Sequence, residues 1–100
     1  MDEDLIAAVE IDSEHRLHVV PATRAFPHVY REAMEVSWDP SRCSLHSPVP
    51  REWSYSRWFQ QILAAAAAQG VRLSLSPVTG WVGVPAQLQV ELSQVTGQDA

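Results

Sequence analysis

The segment from Glu52 to Gly70, EWSYSRWFQQILAAAAAQG, constrains this chain more than any other. At about 100° per residue, Tyr55, Trp58, Phe59, Ile62 and Ala66 fall within one broad stripe, with Leu63 at its margin. That is the spacing of an amphipathic helix lying on a core. Ser54 is placed to cap it, because its hydroxyl accepts from a backbone N–H two or three residues on. Gly70 stops it, since glycine takes the left-handed conformation past a helix end at no steric cost. The helix expected from Ser54 to Gln69 is about fifteen residues, or roughly 22 Å, long. Its outer face carries Arg57, Gln60, Gln61, Ala64, Ala67 and Ala68, less charge than a solvent face normally shows. Alanine there favours the helix; small side chains would also let a second helix approach closely, as in an oligomer.

One hundred residues make one domain. Apolar residues at 46% are enough for a single core, so disorder is not the expectation. The one cysteine, Cys43, rules out an internal disulfide and points to a reducing compartment. The opening MDEDLIAAVE is acidic where a secretory signal would be basic. The longest purely apolar run, Ile62 to Ala68, is far short of the roughly 20 residues that span a bilayer. A cytoplasmic protein with no membrane association is expected. Net charge is −5, and all seven basic residues are arginines spread singly from Arg16 to Arg72. Without a basic cluster to neutralise phosphates, nucleic acid is not an expected partner.

Along the chain, Leu5, Ala7, Val9 and Ile11 alternate with Ile6, Ala8 and Glu10, the period of a strand. Asp12 to His15 forms a polar turn, and Arg16 to Pro21 alternates again, which closes a first hairpin. Six acids and no base occupy positions 2–14, a negative edge that would aid solubility or meet a basic partner. Val29 to Trp38 reads as the next strand, with Tyr30, Glu32, Met34, Val36 and Trp38 on one face. Asp39-Pro40-Ser41-Arg42 is a strong turn, and Cys43 to His46 returns as a second hairpin. Pro48 and Pro50 make 47–51 an extended connector. Beyond the helix, Val71, Leu73 and Leu75 mark another strand and Trp81 to Val84 a short extended piece. From Pro85 the pattern fits strand or helix. A short helix is preferred, because proline suits a first helical turn, and the tail from Thr96 is read as frayed. The fold expected is α+β. An antiparallel sheet of four to five strands, including two N-terminal hairpins, packs on one long helix, with a short helix at the C-terminal end. Leu5, Val9, Leu17, Val19, Met34, Val36, Phe59, Ile62, Leu73 and Leu75 are the expected core.

The segments FPHVYREAMEVSWD, SPVPREWSYSRWFQQI, GVRL and GWVGVP, in that order, resemble a set of short uncharacterised bacterial proteins. Some of these are carried as integron gene cassettes. The resemblance spans roughly Val9 to Leu92. It implies a bacterial accessory protein and carries no activity, cofactor or catalytic residue with it.

Five side chains stand out as ligand- or partner-binding candidates: Glu32, Trp38, His46, Trp53 and Tyr55. Aromatic residues line small-molecule sites as well as cores, and Trp38 and Trp53 each sit where an element ends. Glu32 falls on an apolar strand face, where a carboxylate needs a partner or a raised pKa. Paired with His46 it could serve as general acid and base. Cys43 and His46 have a C-x-x-H spacing, but a structural zinc site needs a second such pair and none has the right spacing. No metal or other cofactor is expected. No nucleophile elbow, phosphate loop, dinucleotide fingerprint or zinc-protease pattern occurs. The reading that follows is a non-enzymatic binding or interaction protein, with a small Glu32–His46 enzyme as the alternative. Surplus apolar surface further predicts a homo-oligomer, most simply a two-fold dimer.

Overall fold

The computed structural model describes residues 2–97, with side chains as far as position 95. The expectation for the tail lies outside those side chains. Strand β1 (Asp2–Ile11) and β2 (Leu17–Pro21) form the first hairpin. A 3-10 turn (Val29–Arg31) precedes β3 (Ser37–Asp39) and β4 (Ser44–His46), the second hairpin. Helix α1 (Tyr55–Ala68) follows, then β5 (Val71–Ser74), β6 (Gly80–Val82) and α2 (Ala86–Gly97). The sheet order is β3-β4-β2-β1-β5, with β6 also paired to β1. The α+β class holds; the first hairpin and both helices are where the sequence puts them, and the second hairpin forms with a much shorter first strand than expected.

The sheet is mixed rather than wholly antiparallel, because β5 and β6 both run parallel to β1. Helix α1 returns the chain along the sheet, the kind of crossover that parallel neighbours require. Strand β1 is long enough to take both: β5 pairs with residues 2–5 and β6 with residues 8–10. Between the two the register against β2 jumps, Ile6 facing Pro21 and Ala8 facing Val20. One extra residue, Ala7, is therefore inserted in β1 as a bulge. The bulge turns Ile6 and Val9, three apart, onto the same covered face, and both are fully buried. Leu5, expected in the core, is consequently 48% exposed.

Helix α1 begins where expected. Ser54 Oγ accepts from the Arg57 amide at 3.2 Å, and Gly70 takes φ of +89° just past the end. Trp58, Phe59, Ile62, Ala65 and Ala66 are buried against Val9, Leu17, Val19 and Leu45 of the sheet. Leu92 of α2 is fully buried in the same core.

The strand expected over Val29–Trp38 is corrected. Only Ser37–Asp39 is strand, and the rest is a chain of tight turns. The Val29, Arg31, Glu32 and Val36 amides each bond back three residues, to Phe26, His28, Val29 and Ala33. The buried residues Phe26, Val29, Ala33 and Val36 recur at helical spacing, which overrides the alternation. Met34, on the expected inner face, is instead 85% exposed.

At the bulge, the Ile6 carbonyl accepts from Thr79 Oγ1 at 2.7 Å, and that same hydroxyl accepts from the Ser76 amide. Thr79 is 7% exposed, so Thr79→Val leaves a buried carbonyl unpaired. The expected cost is about 1–3 kcal/mol in urea unfolding. An unchanged midpoint would show that the bulge does not depend on this bond.

Candidate functional site

Two places on the molecule gather polar chemistry. The first is the sheet face opposite α1. Cross-strand pairing places Glu10, His18, His46 and Ser37 in one row on β1, β2, β4 and β3. Asp12 and Ser44 lie two residues along from this row, on the same side. His18 Nε2 donates to Asp12 Oδ2 at 2.7 Å, and its Nδ1 meets Ser44 Oγ at 2.9 Å. A carboxylate only accepts, so Nε2 donates to Asp12, and in the neutral tautomer that this bond selects Nδ1 accepts a hydrogen bond from the Ser44 hydroxyl. Arg42, in the β3–β4 turn, folds across the top and pairs with Glu10 and, at 4.0 Å, with Asp12.

Carboxylate, imidazole and hydroxyl in sequence are the parts of a hydrolytic triad. Ser44 and the His18 ring are both sealed, at 0% and 3% exposure, so no substrate reaches the hydroxyl. The chain is a structural tie. Asp12 Oδ1 also accepts from the Glu14 and Arg16 amides at 2.8 and 2.9 Å, which closes the β1–β2 turn. Burial pushes the Asp12 carboxyl up, but the bonds from His18 and the two amides outweigh it and hold it down at about 2.

The acidic edge is used in the same way. Asp4 accepts from the Thr23 and Arg24 amides, Asp2 pairs with Arg24, Glu10 with Arg42 and Glu14 with Arg16. Of the six acids, Glu3 alone makes no such contact among the described residues.

The second place is a cleft of roughly 690 Å³ beside the start of α1. Trp58 lines it from the helix, Trp53 and Val49 from the connector, and Met34 and Glu35 from the turn before β3. Arg51, Glu52 and Gln61 are among its polar groups. The Trp53 and Trp58 ring centroids are 4.7 Å apart and tilted by 45°. The Arg57 guanidinium carbon lies 4.3 Å from the centre of the Trp53 ring. Glu35 holds φ of +71°, a left-handed conformation that costs a residue with a Cβ and that clusters at ligand sites. Trp58 is 7% exposed, and its Nε1–H has no acceptor among the described residues.

Of the five side chains singled out, the structure brings only Trp53 to this cleft. Tyr55 is the first residue of α1, and its hydroxyl donates to the His15 carbonyl at 2.9 Å. Trp38 packs edge-on against Phe26, 6.0 Å between centroids. Glu32 is exposed beyond the 3-10 turn and accepts from the Gln69 side chain at the far end of α1, not from an apolar strand face. His46 sits in β4 with its ring 5.3 Å from His18. Glu32 and His46 thus have separate surroundings. Cys43 is exposed in the β3–β4 turn, its Sγ on the Pro40 carbonyl, and no three metal-ligating side chains gather among the described residues. Nor is any described helix long and apolar enough to cross a membrane.

Asp12, His18 and Ser44 escaped the sequence reading, although Asp12 at a hairpin turn is a recognisable side-chain cap. Trp58 reads in the sequence as part of the helix stripe that faces the core. Its orphaned N–H has no sequence signature.

Fold and site together define a small α+β domain whose sheet is covered on one face and whose helix start opens into a tryptophan-lined cleft. Within that class the chain belongs to the integron cassette protein family Hfx_Cass5, whose model matches residues 4–79. A solved structure, the integron cassette protein Hfx_Cass5 from the mobile metagenome of the North West Arm sewage outfall, is 57% identical. The match covers 97% of this chain and 98% of that one, with a TM-score of 0.50. Comparison with curated proteins finds no match.

The depressed Asp12 carboxyl gives a signed pH dependence. Its folded value of about 2 lies below the ordinary 3.8, so its stabilisation is complete above about pH 4 and is lost as pH falls through 2. Asp12→Asn is expected to be less stable at neutral pH, with the gap from the native protein closing between pH 4 and 2. A gap that stays constant over that range in urea titrations would contradict the assignment.

Proposed function

We propose that this chain is a non-enzymatic binding protein that takes a small molecule in the Trp53–Trp58 cleft. The observation that carries the reading is the cleft itself. Its volume falls in the range of small-molecule sites, and its walls combine two indoles with a few charged groups. The left-handed Glu35 on its rim fits a site held in shape at some cost to stability. The acid–base pair the sequence offered is not in the cleft: Glu32 is taken by Gln69 and His46 lies beside His18, while the Asp12–His18–Ser44 chain is sealed. A basic protein partner drawn to the acidic edge is less well supported, since most of those carboxylates are engaged internally. The lone exposed Cys43 and the absence of a described membrane-spanning helix support a cytoplasmic setting.

The test is an NMR screen with small aromatic fragments. Shifts are expected to cluster at the Trp53 and Trp58 indole N–H signals and to vanish in Trp53→Ala. Shifts scattered over the surface, or centred on the His18 face, would overturn the reading.

The binding unit is a two-fold dimer in this proposal. Leu5, Tyr30, Val78, Val82 and Val90 are large apolar residues left more than 45% exposed, and Ala64 and Ala68 are exposed on an outer face of α1 that carries Arg57 as its one charge. Light scattering through a dilution series is expected to report twice the chain mass at tens of micromolar. A single-chain mass throughout would exclude it.

A further inference from the structure

We infer that the occupant of the cleft is a flat apolar molecule carrying an acceptor oxygen, a carboxylate or amide carbonyl, and that this oxygen is received by Trp58 Nε1. The inference rests on the binding role proposed above and specifies its ligand. Buried indole N–H groups normally find an acceptor, and one left alone costs about 1–3 kcal/mol. Trp58 Nε1 is out of reach of solvent and has no acceptor among the described residues. It belongs to a side chain that lines a cleft, so a group that displaces the neighbouring Trp53 ring would restore the missing bond.

Trp53, which packs on Trp58, stands on the connector rather than in a helix or strand. In this inference it is the ring that yields as a ligand enters between the two, exchanging its contacts with Trp58 and Arg57 for the ligand. The surrounding wall selects the rest of the molecule. Met34 and Val49 are apolar and exposed, at 85% and 43%, and the two indoles offer flat contact. Arg51 lines the same cleft and makes no ion pair among the described residues, so a positive group is available within the site. Glu35 and Glu52 also line the cleft, and they would favour a cation there. A cation, however, offers nothing to an indole N–H, and one cation, Arg57, already lies against Trp53.

Three probes of one skeleton separate these chemistries: naphthylacetate, naphthylacetamide and naphthylethylamine. The first two present an acceptor oxygen and differ in charge; the third is a cation with donors only. In titrations followed by NMR, both acceptors are expected to bind about tenfold more tightly than the amine, the worth of one hydrogen bond. They should also move the Trp58 indole N–H signal downfield. Tighter binding of the acetate than the acetamide assigns the head group to Arg51; equal binding assigns it to the N–H alone. In Trp58→Phe the preference over the amine is expected to disappear while the naphthyl skeleton still binds. If that variant does not fold, the Trp58 signal of the native protein decides. Equal or tighter binding of the amine, or a Trp58 N–H that stays still while acceptors bind, refutes the acceptor inference and leaves the binding role standing. Failure of all three probes to bind refutes both.

Discussion

One extra residue in the first strand governs the rest of the sheet. The bulge at Ala7 sets two register frames along β1, one before it and one after. It brings Ile6 and Val9 onto the covered face, where a regular strand would bring only one of them. It also divides the outer edge of β1 between two separate strands, β5 and β6. The Ser76–Thr79 turn that joins those strands reaches into the gap and satisfies the carbonyl the bulge exposes. Without the insertion, the pattern of side chains would fit one continuous neighbour or the other, but not both.

A second constraint acts at the other end of the same strand. Asp12 gathers two turn amides and a buried imidazole on one carboxylate. The imidazole in turn holds Ser44, so the first hairpin is tied to the second through a single acid. Arg42 covers this tie from outside. The negative charge concentrated near the N-terminus therefore acts mainly as a set of acceptors for loop amides and arginines. Its role is to order turns, which short strands of three to five residues cannot do for themselves.

What was legible in the sequence follows from how local each signal is. Helix α1 is written in its own residues, from the Ser54 cap to Gly70, and it was read correctly. The two hairpins and the C-terminal helix were legible for the same reason. The stretch after Phe26 carried two periods at once, and the alternation of Tyr30, Glu32, Met34 and Val36 concealed the spacing of Phe26, Val29, Ala33 and Val36. Burial decided between them. The displacement of Leu5 from the core could not be read, because a bulge belongs to a pair of strands rather than to one. The parallel partners of β1 were hidden likewise, since their pairing depends on where α1 delivers the chain. At the cleft, Trp53 was legible from its place at the end of a proline-rich connector. The exposure of Met34, the left-handed Glu35 and the orphaned Trp58 N–H were not, as each is set by neighbours distant in sequence.

The pairing of the first strand with the last two has a bearing on how the chain is made. The Asp2 amide bonds to the Gly70 carbonyl, and Thr79 closes on Ile6 across 73 positions. As the chain leaves the ribosome, the first hairpin can form early, because its contacts are local. The outer edge of β1 then stays open until β5, which begins at residue 71 of 100, has emerged, with its amides and carbonyls ready to pair with any passing strand. The acids at positions 2–4 lie along that open edge throughout. Their charge guards a growing chain against its neighbours during the interval in which the native partners of β1 have not yet been synthesised.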